Sequence, residues 1–375
     1  MHIGIDISRI AVAARTGTEQ YSYELLAALA AIERHTPFTL YTNQLPASLP
    51  ALGPNFSLRQ MAFPRLWTHL RLSAEILAHA PDVLFIPAHV IPLAAPLVRH
   101  TRSIVTIHDL GYLHFPEAHT PAQRLQLMLT TRWSAHMAQQ VIAISEATRQ
   151  DLIQHAGMLP EKIHVVPHGV SARFKPIDDH MQIQAMRERY GIQTSNYMLY
   201  VGTLQPRKNL PRLLTAFAQA LPTLMAPTQL ILVGKKGWLA EPILKLASQL
   251  GISQHVHFTG YVDDDHLPTL VAGAQFFVLP SLYEGFGMPV LEAMACGVPV
   301  LTANSSALPE VAGNAALLVD PLDTQAIAAA ITMLANNDIL RQQLRERGLA
   351  RAAEYSWERC ARATLAILQA NKEAV

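Results

Sequence analysis

Two glutamates eight residues apart, Glu284 and Glu292, are the side chains of this sequence best placed to do chemistry. Glu284 opens the run EGFGMPVLE, and Glu292 closes it inside a segment that Pro289 can start and Gly297 can end as a helix. An apolar run before them predicts a buried strand, so the order is strand, glycine loop, helix. This order directs backbone N–H groups and a positive helix end at one point, which suits an anion, while carboxylates accept hydrogen bonds from hydroxyls. A nucleotide sugar is both phosphorylated and polyhydroxylated, and it fits this pattern.

Two cations follow another predicted strand, in VGTLQPRKN at 201–209. Gly202 lets the chain turn, and Arg207 and Lys208 lie near the start of the next helix. Charge-assisted bonds from Arg and Lys to phosphate are strong, so this pair could stabilise the charge on a departing diphosphate. A solvated loop with two surface cations is the alternative. The preceding strand and the glutamate run favour the phosphate site.

The first half of the chain offers His108 and Gly17. His108 comes at the end of a predicted strand, before Asp109, which could orient the imidazole. A lone histidine is more often structural, but this one precedes a loop rather than a core position. Gly17 lies in the loop after the first strand and could let the backbone approach a ligand. An ordinary strand-to-helix turn explains Gly17 equally well.

Composition limits the classes of protein. A chain of 375 residues predicts two domains, and 29 Lys plus Arg against 28 Asp plus Glu argues against a nucleic-acid partner. Only Cys296 and Cys360 are present, so a disulfide scaffold is excluded and a reducing compartment is expected. The sequence has no 18-residue apolar run and no signal-peptide pattern at its start, which predicts a cytoplasmic protein. Serine-hydrolase elbows and zinc-protease motifs are also absent.

Strand-like runs alternate with amphipathic helical segments throughout, which predicts an α/β protein with two doubly wound, Rossmann-like domains of six parallel strands each. A polar stretch at 171–195 predicts a linker with a short helix, so the expected domains are 1–175 and 176–356. Ser356 is the expected N-cap of a last helix. The predicted strands are 2–7, 38–42, 82–87, 103–109, 140–145, 163–167, 197–202, 229–234, 256–262, 275–280, 299–304 and 316–320.

The segment SLYEGFGMPVLEAMACGVPVLTANSSALPEV at 281–311 resembles the core of the retaining glycosyltransferases of family 4, the group 1 transferases with a Glu-x7-Glu signature. The resemblance extends over nearly the whole chain and is more specific in the second half. It implies the GT-B architecture, with two Rossmann-like domains facing a cleft. It also implies an acceptor domain first, a donor domain second, and a final helix at 357–375 that packs back on the first domain.

The resemblance also implies roles for individual residues. Glu284 would accept hydrogen bonds from the sugar and Glu292 from the ribose, while His108 would bond a sugar hydroxyl. Arg207 and Lys208 would hold the leaving diphosphate, although some members carry a further Arg where this chain has Thr203. The expected catalytic residues are Glu284, His108, Arg207 and Lys208. The expected donor-binding residues are Gly17, Gly202, Val262, Phe286, Gly287, Met288, Val290 and Glu292.

The predicted reaction moves a hexose from a nucleoside-diphosphate sugar to an acceptor hydroxyl, with retention, no cofactor and no essential metal. The resemblance favours GDP-mannose as donor and a glycan or lipid-linked acceptor in surface polysaccharide or glycolipid synthesis. A front-face path fits the residues better than a double displacement on two carboxylates. The alternatives are a nucleotide-sugar epimerase, a phosphorylase, and a catalytically silent nucleotide-sugar-binding protein.

Two other segments have alternative interpretations. The basic, aromatic stretch at 62–77 can lie on an anionic membrane at the inner face or pack its apolar side on the first domain, and packing is favoured. Asp263 and Asp265 have the spacing of a metal motif of a different transferase fold. We interpret them as helix-start residues instead. The resemblance implies that the backbone near Val262 contacts the nucleotide base.

Overall fold

The computed structural model describes residues 1–12, 17–63, 66–116, 120–235 and 240–370. The chain divides into two compact units: Met1–Gly169 with Ser356–Val375 is unit 1, and Val170–Tyr355 is unit 2. The division falls six residues before the expected boundary at 175. Val170 donates its backbone N–H to Tyr355 O at 3.2 Å, which ties the start of the linker to unit 2.

Unit 1 contains one parallel sheet of seven strands in the order β3-β2-β1-β4-β5-β6-β7. Its strands are β1 Ile3–Asp6, β2 Phe38–Thr42, β3 Phe56–Gln60, β4 Val83–Ile86, β5 Arg102–Ile107, β6 Gln140–Ala143 and β7 Ile163–Val165. The expectation of six strands is wrong here, because β3 was not predicted. Four of its five residues are exposed, so it lacks the apolar pattern of an inner strand, and Phe56 alone stacks on Phe38, with centroids 4.5 Å apart.

Helices cover both faces of this sheet. They are α1 Gly17–Ile32, α2 Ser73–Ala78, α3 Gly111–His114, α4 Pro121–Met137, α5 Glu146–Ala156 and, from the end of the chain, α14 Trp357–Gln369. Ser356 caps α14 as predicted, since its side chain accepts the N–H of Arg359 at 3.1 Å. The last helix packs on α1, and Trp357, Cys360 and Leu368 join the core beneath it.

Unit 2 contains a parallel sheet of six strands in the order β10-β9-β8-β11-β12-β13. All six were predicted: β8 Tyr197–Val201, β9 Gln229–Val233, β10 Val256–Gly260, β11 Phe276–Leu279, β12 Val300–Ala303 and β13 Ala316–Val319. Its helices are α6 His180–Arg189, α7 Leu210–Ala220, α8 Ala240–Gln249, α9 Leu267–Ala272, α10 Met288–Ala295, α11 Leu308–Ala312, α12 Thr324–Asn336 and α13 Asp338–Ala353.

Both sheets are doubly wound, and each has one point where the strand order reverses: β1 beside β4 in unit 1, and β8 beside β11 in unit 2. Ligands of such sheets bind at the carboxyl ends of the strands beside this point. Within the described ranges, no helix combines the length and apolar character needed to cross a bilayer.

Candidate active site

Three of the charged residues predicted from the sequence, Arg207, Lys208 and Glu284, meet where the order of the unit 2 sheet reverses. Strands β8 and β11 pair directly there, and the loops that leave their carboxyl ends are bonded to each other. Leu282 donates its N–H to the carbonyl of Arg207 at 2.8 Å, and the amide of Asn209 donates to Pro280 O at 3.0 Å. The fold therefore brings the 207–209 and 281–284 segments together, although more than seventy residues separate them in sequence.

Glu284 lies between the two cations. Its Oε1 accepts from Lys208 Nζ at 2.5 Å and from Ser281 Oγ at 2.7 Å, and its Oε2 accepts from Arg207 Nη1 at 2.9 Å. Lys208 and Glu284 are both buried, and about a quarter of the Arg207 side chain is exposed, 24%. Two positive charges and one negative charge leave this cluster with a net charge of +1 when all three residues are ionised.

The carboxylate stays ionised over the whole physiological range. Burial alone would raise the pKa of Glu284, but the charges of Lys208 and Arg207 outweigh burial and lower the pKa to about 2. A carboxylate offers about four lone-pair directions, and the three contacts above use three of them. At most one remains for a sugar hydroxyl. The sequence did not predict that Glu284 orients the cations that were expected to bind phosphate.

Three supporting residues were not predicted. Ser281 bonds the carboxylate directly, and Ser306 Oγ accepts the backbone N–H of Glu284 at 2.8 Å. Asn209 adopts the left-handed conformation, with φ of 61°, and its amide also donates to Pro321 O at 2.6 Å. Asparagine and serine near turns were visible in the sequence, but nothing local indicated which distant loop each would hold.

Helix α10 begins where the sequence predicted a helix. Gly287 is its N-cap with φ of 106°, and a Cβ at this position would lie 2.8 Å from Leu308, so only glycine fits without a shift. Met288 is the first helical residue, and Glu292 follows one turn later, half-buried. Phe286 and Val290 are buried, with the Phe286 ring edge-on to Tyr355. Their side chains belong to the core, so only their backbone atoms would be available to a ligand.

Gly202 and Val262 also follow strands of this sheet. A Cβ at Gly202 would lie 2.8 Å from the Tyr200 hydroxyl, and a Cβ at Gly234 would lie 2.0 Å from the Gly202 carbonyl. Glycine at both positions is thus needed for close packing of the two loops. Val262 is buried just beyond β10. In the acidic run that follows, α9 begins only at Leu267 and has no side-chain cap, so the expected capping by Asp263 and Asp265 is wrong.

In unit 1, His108 lies directly after β5 and is buried. Its Nε2 lies 2.8 Å from Pro87 O. A carbonyl oxygen only accepts, so Nε2 carries the proton and Nδ1 remains an acceptor. Burial, and after it the charge of His89, lowers the pKa of His108 to about 3, so the ring is neutral. The rings of Tyr21 and His168 pack near it, with centroids 4.8 Å and 5.8 Å away.

Asp109 has a different partner from the one expected. Its Oδ1 accepts the N–H of Gly111 at 2.9 Å, at the start of α3, while the carbonyl of Pro87 orients His108. Gly17 is the first residue of α1, and a Cβ there would meet no described heavy atom within 4 Å. Packing therefore does not require glycine at this position. The loop before it, 13–16, lies outside the described residues.

Two family models together match most of the chain. The model described as Glycosyltransferase Family 4 matches residues 15–174, and the model described as Glycosyl transferases group 1 matches residues 182–351. The first covers most of unit 1, and the second covers most of unit 2.

Similar proteins include the O-antigen chain mannosyltransferase B of Escherichia coli, 37% identical over 270 residues, which are 71% of this chain and 70% of the relative. The serotype-specific mannosyltransferase WbdA of Escherichia coli is 30% identical over 59% of this chain, which is only 27% of its own length. Among solved structures, Anabaena HepE in complex with UDP and glucose aligns over 99% of both chains, with a TM-score of 0.74 and 20% identity. This last likeness establishes the fold.

Proposed function

We propose that this chain, which belongs to the group 1 and family 4 glycosyltransferases, moves mannose from GDP-mannose to an acceptor hydroxyl with retention of configuration. The acceptor is a surface polysaccharide or glycolipid. The similar mannosyltransferases support the sugar and the type of product. The observation that carries the chemistry is the Arg207–Lys208–Glu284 cluster at the reversal point of the unit 2 sheet.

The cluster suits a leaving diphosphate. Arg207 and Lys208 follow β8, and α10 starts after β11, the strand that pairs with β8. Both features direct positive charge towards the carboxyl edge of the sheet. The ion pairs with Glu284 fix the cations before any ligand binds, so little side-chain order is lost on binding. Each donor that contacts the leaving group in the transition state contributes about 3–4 kcal/mol.

The state of Glu284 favours a front-face path. A carboxylate held by three donors is poorly placed to attack the sugar carbon. In the proposed step, the bond from the anomeric carbon to the phosphate oxygen breaks, and the electron pair leaves with the diphosphate. The acceptor oxygen bonds the same face of that carbon, and its proton passes to the leaving phosphate oxygen. Nδ1 of neutral His108 would accept a hydrogen bond from a sugar hydroxyl.

A donor panel tests the function. The protein is incubated with GDP-mannose, UDP-glucose and related donors, with and without glycan acceptors, and the products are followed by NMR. We expect mannose transfer with an α product from the α donor. An altered donor sugar in the absence of acceptor would instead indicate an epimerase, and no turnover with any donor would indicate a binding protein. A β product would contradict retention.

The cations should replace a catalytic metal. Arg207 and Lys208 supply the charge that a divalent ion supplies in other transferases, so transfer should persist in chelator. The rate is measured before and after dialysis against EDTA, then with added magnesium. A rate that disappears with EDTA and returns with magnesium would contradict metal independence.

The stretch at 62–77, expected either to pack on the first domain or to lie on a membrane, has both buried and exposed apolar side chains. In the 62–77 stretch, residues 68–72 form one π-helical turn that leads into α2; Trp67 and Leu72 are buried, while Leu70 and Leu77 are exposed. Ser73 Oγ accepts the N–H of Ala94 at 3.2 Å, so the segment that carries the exposed Leu93 and Leu97 is bonded to the start of α2. We include peripheral contact with an anionic bilayer in the proposal. Co-sedimentation with phosphatidylglycerol vesicles should fall in Leu70→Glu, and unchanged sedimentation would contradict the contact.

A further inference from the structure

A second cluster of chemically active side chains lies in unit 1, where α3 meets α5. His114 ends α3, while Asp151 and His155 lie one turn apart on α5, so both face the same side of that helix. His114 Nε2 lies 3.0 Å from Asp151 Oδ2, and His155 Nε2 lies 3.9 Å from Asp151 Oδ1. One donor atom from each residue lies within 4.8 Å of the other two.

This set of donors suits a borderline divalent ion. Two imidazole nitrogens and one carboxylate oxygen are one of the ligand sets that hold Zn²⁺ in three-ligand sites, with water in the fourth position. Zn²⁺ at about 2.0–2.2 Å from each donor holds its donors roughly 3.3–3.5 Å apart, so small rotations would bring the three atoms to this spacing. The His155 side chain is 44% exposed and that of His114 34%, so an ion can enter from solvent, while Asp151 is nearly buried and fixed.

A plain ion pair between His114 and Asp151 explains only part of this arrangement. That pair ties α3 to α5 without any contribution from His155. His155 Nε2, at 3.9 Å, is too far from the carboxylate for a hydrogen bond, yet its ring is edge-on to His114, with centroids 5.7 Å apart. An ion would join all three residues, and it would displace the proton that now joins His114 to Asp151.

We propose that His114, Asp151 and His155 form a binding site for Zn²⁺ or a similar first-row divalent ion, and that the bound ion clamps α3 to α5. The site has no part in the transfer step. It lies close in sequence to the reacting region, because α3 starts three residues after His108. The ion would therefore stabilise unit 1 and the segment that carries His108.

Metal binding to the untagged full chain tests this site. Zn²⁺ is titrated by calorimetry, and Co²⁺ is titrated by visible absorption, since ligand-field bands report the geometry around the ion. We expect one ion per chain with micromolar affinity and a rise in the unfolding midpoint of a few degrees on Zn²⁺ addition. His155→Gln and His114→Gln should each weaken binding at least tenfold and abolish that rise.

His100→Gln is the matched control, since His100 is an exposed histidine of unit 1 outside the cluster. It should bind Zn²⁺ with the affinity of the original chain. Equal Zn²⁺ affinity and equal Co²⁺ spectra in His155→Gln, His114→Gln and the original chain would overturn the proposal. His155→Gln changes an exposed side chain, so a folding defect cannot explain its loss of binding.

Discussion

The two units use one topology for two different chemical environments. In both, the strand order reverses beside the first strand, and the candidate residues follow the strands around that point. Unit 2 places a charged, ion-paired cluster there, whereas unit 1 places neutral, buried histidines packed on Tyr21. Topology therefore fixes the edge of each sheet where a ligand binds, and the side chains at that edge decide which chemical groups it suits. The charged edge suits phosphate, and the neutral edge suits a sugar or acceptor hydroxyl.

The largest expected effect comes from Lys208→Met. It leaves the buried Glu284 carboxylate without its closest partner, which costs about 3–5 kcal/mol of stability and reduces turnover by roughly 10²–10³-fold. Denaturant unfolding and steady-state rates measure the two effects. Lys245→Met, an exposed change on α8, is the control and should alter stability by less than about 0.5 kcal/mol. Near-normal turnover in Lys208→Met would contradict a role of the charged unit 2 cluster in transfer, and with it the chemical contrast between the units.

The units should also differ in their response to acid. The pKa of His108 is 6.5 in the unfolded chain and about 3 in the folded protein. As the pH falls from 6.5 towards 3, the unfolded chain binds a proton that the folded protein does not, so the folded protein loses stability. Glu284 shifts from 4.5 to about 2, so its stabilisation is complete above pH 4.5 and is lost as the pH falls towards 2. Over two pH units, either group changes stability by about 2–3 kcal/mol.

Hydrogen exchange on peptides of each unit separates these windows. Between pH 6.5 and 4.5, unit 1 should lose protection, and His108→Gln should reduce that loss. Glu284→Gln should leave this window unchanged and act only at lower pH. An equal effect of both substitutions between pH 6.5 and 4.5 would remove the contrast between the units.

Ser306→Ala should have a smaller effect. It deletes the acceptor of the Glu284 N–H, which costs about 1–3 kcal/mol, and it should reduce turnover several-fold through misplaced cations. Ser306 has a φ of 51°, so Ser306→Gly relieves backbone strain while losing the same bond. If the bond positions Glu284, both variants lose turnover, and Ser306→Gly is more stable than Ser306→Ala. Full activity in both would exclude a positioning role.

Glu292→Gln should have the smallest effect among these changes. Glu292 is half-buried on α10 and is proposed to accept hydrogen bonds from the ribose, so the amide keeps one acceptor and loses the charge. We expect KM for the donor to rise about tenfold with kcat little changed. A large fall in kcat with unchanged KM would place Glu292 at the reacting centre instead.

Sequence patterns predicted all six strands of unit 2, because each carries apolar residues in a short run. Strands β8, β9, β11 and β12 are buried almost throughout, whereas β10 and β13 are only partly buried. The patterns missed β3 because an exposed edge strand carries little apolar pattern. The strand ends predicted which residues approach the site, since parallel strands share one edge. The sequence could not predict the hydrogen bonds of Glu284 to Lys208, Ser281 and Arg207, because these bonds depend on which strands are neighbours and on side-chain rotamers. The partner of Asp109 was mistaken for the same reason.

Binding of GDP and of guanosine to Arg207→Gln tests the central claim most directly. Arg207 is partly exposed, so the variant should fold, and the two ligands differ only in the diphosphate. Loss of one charge-assisted hydrogen bond of about 1.5–3 kcal/mol should weaken GDP binding roughly 10–150-fold. Calorimetry should show this loss for GDP and none for guanosine. Equal GDP affinity in the variant and the original chain would contradict a diphosphate site at the Arg207–Lys208–Glu284 cluster.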